Sequence, residues 1–353
     1  MPTDSTVPAV NPDSRPPTSS MPNPANTALQ IANMRLDSPI LLAPLAGYSD
    51  LAFRSTIREL GGIGIAFTEM IAPASLLQGK SRKLKPLLAT NETDHPLGHQ
   101  IYGSRKDHLC QGAQWLADHG ARLIDINMGC PQRKISSHGA GAGLLRDPEQ
   151  AISIAAAVVK SVTIPVTVKL RLGWDHDRLV AHEMIPGLED AGVSAVTIHG
   201  RTRGQGYTGK ADLTEIRRVV EAAKRVPIIG NGDVTSPDAA RQMFTATHCA
   251  GIMIGRGALS NPWLIRDIWR SLNGLPLIPP PDRQERLTFA MTHFERMVAL
   301  YGPSGATLLY RKWIPQYLRR LTRSRQHMVE LLQIADADTM RAALASLLDN
   351  PKS

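Results

Sequence analysis

From residue 38 onward, short unbroken apolar runs alternate with longer stretches in which apolar residues recur at helical spacing. The runs are ILLAPLA (40–46), GIAFTEM (64–70), LGHQIYG (97–103), RLIDINMG (122–129), VTVKLRLG (166–173), AVTIHGRT (195–202), PIIGNGDV (227–234) and GIMIGRGA (251–258). Being continuous rather than alternating, they predict strands buried on both faces of a parallel sheet. The stretches between them carry helix ends. Asp147-Pro148, Ser236-Pro237 and Asn261-Pro262 each put an N-cap residue before proline, and Gly61, Gly120 and Gly192 stand where a left-handed C-terminal residue is wanted. Eight such strand–helix units in about 235 residues match the size of a (β/α)8 TIM barrel, an α/β fold. A doubly wound open sheet is the alternative, but no G-x-G-x-x-G follows the first strand.

The barrel is thus predicted over residues 35–274. A Pro-rich hinge, LPLIPPPDRQ, follows Gly274, and residues 283–349 read as helix throughout, which predicts a small C-terminal helical domain. Residues 1–34 are rich in Pro, Ser, Thr and Asn and poor in large apolar side chains. Such a segment cannot bury enough surface to offset its ordering entropy, so a disordered tail is expected. It has neither the basic start nor the apolar core of a secretory signal, and Arg15 is its one arginine, so the cytoplasm is the expected location. No apolar run approaches the ~18 residues of a membrane span.

Composition narrows the function classes. Hydrophobic residues make up 42% and charged residues 20%, which excludes a mainly disordered chain. Forty Lys and Arg against 31 Asp and Glu leave a net charge of +9, which favours a polyanion or an anionic ligand. Cys110, Cys130 and Cys249 form no C-x-x-C pair, which excludes a disulfide framework and a cysteine-based zinc site. No metal is expected, and a monomer is.

A barrel interior is packed with apolar side chains, so polar residues late in a strand call for a reason. Seven strands have them: Glu69, Gln100, Asn127, Lys169 with Arg171, His199 with Arg201, Asn231 with Asp233, and Arg256. Their convergence at one end of the barrel predicts a binding site, because such groups would otherwise be left unpaired. The last two strands end in Gly230-Asn231-Gly232-Asp233 and Gly255-Arg256-Gly257. Loops at these positions of a barrel commonly bind phosphate, and Arg256 adds a fork of donors. Three roles compete for Lys169: an ion-paired barrel lysine, a Schiff-base nucleophile, or a cation held against an anionic ring or phosphate. Cys130 follows Asn127-Met128-Gly129 and precedes the Gly-rich loop Gly139–Gly143, where a cysteine over a pocket can exchange a proton. Cys110 and Cys249 read as structural. The segment RKWIPQYLRRLTRSR (311–325) holds six basic residues and no acid; by itself it fits a solvated helix face as well as a polyanion contact.

Taken together, LLAPLAGYSDLAFR (41–54), HQIYGS (99–104), DINMGCP (125–131), TIHGRTRGQGYTGKAD (197–212), IIGNGDVTSPDAA (228–240) and IMIGRGALSNPW (252–263) resemble the tRNA-dihydrouridine synthases, with the bacterial B-type group nearest. The resemblance covers about residues 38–320. It implies a TIM-barrel flavoenzyme that reduces the C5=C6 bond of particular tRNA uridines, those of the D-loop for the B-type group, using FMN recharged by NADPH. It further implies that Pro44, Leu45 and Ala46 line the flavin, that Gln100 and Lys169 bond its isoalloxazine edge with His199 close by, and that Asn231, Gly232, Asp233, Gly255 and Arg256 hold its phosphate. Asn127 would contact the target uracil and Cys130 would be the general acid. The uridine, hidden in folded tRNA, would be extruded beside Tyr207 or Arg203. Arg311, Lys312, Arg319 and Arg320 would contact tRNA phosphates. The chain departs from its relatives at Leu213, at Ser137 and His138, and at Trp313, where the B-type pattern has histidine.

Three other functions remain open on the residues alone. An FMN-dependent pyrimidine oxidoreductase of the dihydroorotate dehydrogenase kind would share the phosphate site and the lysine, without explaining the basic helical extension. A lysine-dependent aldolase would use Lys169 as an imine, and a non-catalytic RNA-binding barrel would have no use for Gln100, Lys169, Cys130 and Arg256 together.

Overall fold

The computed structural model describes residues 28–78, 84–318 and 325–349. Eight parallel strands close into a barrel: β3 (Ile40–Leu42), β4 (Ile65–Phe67), β5 (Leu97–Ile101), β6 (Ile124–Met128), β7 (Val166–Arg171), β8 (Ala195–His199), β9 (Ile228–Asn231) and β10 (Gly251–Ile254). Each pairs with the next in sequence, and β10 closes the ring on β3 with Ile252 opposite Ile40 and Ile254 opposite Leu42. All eight predicted strands are present, and the open-sheet alternative is excluded.

Helices cover the outside of the barrel, and most of their predicted ends hold. Asp147 accepts a hydrogen bond from the Gln150 N–H and Ser236 from the Ala239 N–H, each with proline next in the chain. Gly61, Gly120 and Gly192 all have positive φ. The Asn261-Pro262 start is displaced: that helix runs Leu264–Leu272 with Trp263 at its cap, and Asn261 contributes only a backbone carbonyl to Leu264.

The expected tail over 1–34 needs correction at its end. Before the barrel, β1 (Leu29–Ile31) and β2 (Met34–Leu36) form an antiparallel hairpin. Leu29, Ile31 and Leu36 are buried in one cluster with Leu41, Ile65, Leu123, Ala195 and Ile229, residues of the barrel interior. The hairpin therefore plugs the N-terminal mouth, and each buried side chain contributes about 1.5–3 kcal/mol. Residues 1–27 lie outside the described residues.

Beyond the linker, the helix Arg283–Tyr301 opens with a reciprocal capping box between Asp282 and Glu285. The helices Pro303–Tyr310, Ile314–Leu318, Arg325–Gln333 and Ala337–Asp349 follow. These helices share one continuous apolar core with the barrel. Trp313 is fully buried, its ring 4.6 Å from Phe53 of the barrel helix Leu51–Arg58 and 4.7 Å from His293. Tyr301 donates to Asp50 at 3.0 Å and Arg296 pairs with Glu59, so the helices are fixed to the barrel wall beside the β3 loop. Among the described residues, no helix is long and apolar enough to cross a membrane.

Candidate active site

The C-terminal ends of the strands open into a cavity of about 780 Å³, within the ~300–1,000 Å³ of small-molecule and cofactor pockets. Its floor is polar because inward-facing positions recur every second residue along a strand. On β6 these are Asp125 and Asn127, and on β7 Thr167 and Lys169, with Asp125 opposite Thr167 and Asn127 opposite Lys169 in register. Thr167 Oγ1 donates to Asp125 Oδ1 at 2.6 Å, and Gln100 Nε2 donates to Asp125 Oδ2 at 2.7 Å. Asn127 Nδ2 donates to Gln100 Oε1 at 2.9 Å, and Asn127 Oδ1 accepts the N–H groups of Gly129 and Cys130 at 3.1 and 2.9 Å. Lys169 Nζ donates to Asn231 Oδ1 at 3.0 Å, and Asn231 Nδ2 in turn donates to the Met253 carbonyl at 2.7 Å.

Burial dominates the electrostatics of this floor. It lowers Lys169 to about 8, assisted by Arg171 and opposed by Asp125 and Cys130. It raises Asp125 to about 6 against the hydrogen bonds from Thr167 and Gln100. His199 is pushed far below its ordinary value by burial and then by Lys169, Arg171, Arg201 and Arg256, so it is a neutral imidazole, and its Nδ1 has no partner among the described residues. With four cations near it, the cavity suits an anionic ligand.

Cys130 lies at the edge of this floor, half-buried. Its thiol is pushed up by burial, against smaller opposing effects of the Gln132 N–H, Arg171 and Lys169. The Gly-rich loop folds back beneath it: Ala142 N–H donates to the Cys130 carbonyl at 3.1 Å. A Cβ on Gly141, whose φ is +56°, would stand 3.0 Å from Cys130 Cβ. Arg171 fastens the same turn, donating to the carbonyls of Gly129, Thr202 and Gly206 at 2.9, 2.8 and 2.8 Å.

At the other end of the cavity lie Gly232, Asp233, Gly255 and Arg256. The backbone N–H groups of these four residues donate to no backbone acceptor among the described residues. Gly232 has φ +130°, and a Cβ there would come within 2.6 Å of Ala211 Cβ, so glycine is required for both reasons. The Asp233 carboxylate, however, accepts from Arg201 Nη2 at 2.7 Å and Ala211 N–H at 2.8 Å. With its carboxylate so engaged, Asp233 offers this end of the cavity its backbone N–H, and the Asn231 side chain bonds Lys169 in the floor. Pro44, Leu45 and Ala46 line the wall from the β3 loop.

Several predicted residues stand elsewhere. Glu69 accepts the Gly47 N–H and Lys312 donates to the Gly47 carbonyl, so the two hold the peptide groups on either side of Gly47 in the β3 loop. Arg311 donates to the Ile334 carbonyl at 3.1 Å, just past the helix Arg325–Gln333. Arg203 lies over the Trp174 ring at 4.4 Å, as Arg146 does at 3.6 Å, and does not line the cavity. Tyr207 does line it, half exposed, its ring 4.4 Å from the Arg256 guanidinium. Arg319 and Arg320 lie outside the described residues. The sequence reading gave no role to Asp125, Thr167, Met70 or Gln316. The first two carried a legible signal, polar residues two positions before Asn127 and Lys169; Gln316 enters the cavity from the helical segment, which no local pattern reveals.

A dihydrouridine synthase family model matches residues 41–350. The chain is 39% identical over 289 residues to a probable tRNA-dihydrouridine synthase of Rhodobacter capsulatus, covering 82% of this chain and 89% of that one. It is 36% identical over 291 residues to tRNA-dihydrouridine synthase B of Xanthomonas axonopodis pv. citri, covering 82% and 87%. With tRNA-dihydrouridine synthase B of Pseudomonas aeruginosa the identity is 34% over 321 residues, covering 90% and 95%.

Proposed function

The chain belongs to the dihydrouridine synthase family, and from that premise we propose that it reduces the C5=C6 bond of specific uridines in the tRNA D-loop, with an FMN bound in the barrel cavity and NADPH as reductant. The observation that carries this reading is the arrangement of one cavity: a floor of donors at Gln100 and Lys169, a protonated thiol at its edge, and free backbone N–H groups beside Arg256 at its far end.

These residues fit FMN. The unpartnered Nδ1 of buried His199 and the depressed Lys169 ammonium call for a polar ring edge. The Gly232, Asp233, Gly255 and Arg256 N–H groups call for an oxyanion. When bound, FMN supplies the hydride that reaches C6 of the uracil. Lys169 and Gln100 orient the ring edge, Asn127 holds the base, and Cys130 delivers a proton to C5. The target base has to leave the tRNA stack to reach this floor, and Tyr207 at the mouth offers it a ring to stack on.

The test is one spectroscopic titration. NADPH is expected to bleach a flavin band, unmodified tRNA to restore it, and added salt to slow the restoration steeply. A band restored by a free pyrimidine and not by tRNA would favour a small-molecule reductase. Failure to bind FMN at all would sink the reading.

The position of Lys312 gives a second expectation. Lys312→Met frees the Gly47 peptide of the loop lining the cavity, so FMN affinity should fall about 3–10-fold, the worth of one hydrogen bond. The salt slope of tRNA binding should stay as it is. A lower slope with unchanged FMN affinity would instead make Lys312 a phosphate contact.

A further inference from the structure

We propose that Asp125 is a positioning residue: as the acceptor at the base of the Thr167–Asp125–Gln100–Asn127 chain it fixes which way both side-chain amides point, so that the cavity floor presents N–H groups to its ligands. The inference rests on the reading above for the identity of those ligands, but the chain itself is made by protein side chains alone.

Both amides could in principle be turned either way, since each has an acceptor end and a donor end. The two ends of the chain remove that freedom. At one end Asp125, fully buried, takes Gln100 Nε2 at 2.7 Å and Thr167 Oγ1 at 2.6 Å. At the other end the N–H groups of Gly129 and Cys130 can only donate, and they claim Asn127 Oδ1. Between them, Gln100 Oε1 must accept from Asn127 Nδ2, as it does at 2.9 Å. Turning either amide would set donor against donor or acceptor against acceptor in a buried site, at a cost exceeding that of a lost hydrogen bond.

Each NH2 group keeps a second proton. That of Asn127 meets only the Met70 thioether at 3.9 Å, a weak acceptor, and both residues line the cavity. The floor therefore selects ligands whose edges carry carbonyl oxygens or unprotonated ring nitrogens. A uracil C4 carbonyl satisfies the Asn127 proton, whereas the C4 amino group of cytosine would oppose it, so the same polarity favours uridine over cytidine.

Asp125→Asn, alone and combined with Gln100→Met, tests this. In the apoprotein with Asn and Gln labelled by 15N, the side-chain amide protons of Gln100 and Asn127 should exchange at least about tenfold faster in Asp125→Asn. Backbone amides of β6 should keep their protection. FMN affinity should also fall about tenfold, with little further loss when Asp125→Asn is added to Gln100→Met, because Asp125 acts through Gln100. Unchanged side-chain exchange, or additive losses of FMN affinity, would overturn the proposal. Altered exchange in a protein whose wild type binds no FMN would sustain the amide chain and reject the flavin reading. Should Asp125→Asn not fold, Thr167→Val, which removes one donor to the same carboxylate, should give the same direction of change in the exchange; no change there would overturn it too.

Discussion

Cys130→Ala is expected to keep FMN bound and to lower turnover by about 10²–10⁴-fold, the span that one positioned proton donor contributes. In the reaction proposed above, hydride arriving at C6 would leave enolate-like charge that is discharged only when C5 takes a proton. The group proposed to give it is the Cys130 thiol at the edge of the floor, held up in pKa by burial. Of the hydrogen bonds at this turn, the sulfur takes part in the one from the Gln132 N–H. The contact with Asn127 Oδ1 is made by the Cys130 backbone N–H, and Ala142 bonds the Cys130 carbonyl, so alanine leaves the turn in place. The check is a flavin spectrum for occupancy together with the rate at which tRNA restores the NADPH-bleached band. Restoration within threefold of the wild-type rate would remove Cys130 from the chemistry.

The pH dependence follows in sign. A general acid works while protonated, and a raised pKa keeps this thiol protonated throughout the neutral range. Activity should therefore hold through pH 7–8 and fall only as pH rises past the ordinary thiol value of about 8.5. That limb should be missing from the residual activity of Cys130→Ala. A limb well below pH 8, lost in Cys130→Ala, would mean that Lys169 and Arg171 outweigh burial.

The second large effect is on stability. Asp94→Ala should destabilise the fold by about 3–5 kcal/mol, the usual consequence of stranding a buried charge. Arg54 and Asp94 are both fully buried, with Arg54 Nε 2.9 Å from Asp94 Oδ2, and Arg58 Nε lies 3.3 Å from Asp94 Oδ1. Arg54 also donates to the carbonyls of Ser49 and Ala89 at 2.6 and 2.8 Å. Removing the carboxylate leaves one buried and one half-buried guanidinium without their counter-ion, beneath the loop that lines the cavity. For a chain of this size the loss corresponds to a melting temperature lower by roughly 4–7 °C. Calorimetry or thermal denaturation by circular dichroism reads it directly, and a shift below about 2 °C would show that water reaches Arg54 in its place.

Much of the barrel was legible because its strands are buried on both faces, so each announces itself as an unbroken apolar run. The hairpin at 29–36 was not. Its strands are three residues long, and Leu29, Ile31 and Leu36 are apolar only at alternate positions within a polar stretch. Their burial depends on the barrel mouth they fill, which is built from residues spread between Leu41 and Met253. The candidate site was legible at the strand ends, where Gln100, Asn127, Lys169, His199 and Asn231 converge in the cavity as expected from their positions. The partners of the charged residues were less legible. In the fold the charged groups of Lys312, Arg311, Arg203 and Asp233 are engaged with Gly47, Ile334, Trp174 and Arg201. Long charged side chains reach across several elements, so their partners are decided by what the fold brings within reach.

The sequence by itself determined the periodicity of the elements, hence an eight-stranded parallel barrel with helices after it, and the two-residue spacing that turns Asp125 with Asn127 and Thr167 with Lys169 to one side. These are local properties of the chain, set by burial and by the pleat of a strand. Only the tertiary structure decided that the helical segment closes on the β3 loop through Trp313 and Lys312, and that Asp125, Gln100 and Asn127 form one directed chain. Each of those outcomes depends on residues 25 or more positions apart meeting, and the amide chain and Trp313 do so in sites poor in water. There an unmatched donor or acceptor costs more than any local preference can supply, so it is the whole barrel that fixes the direction of each hydrogen bond.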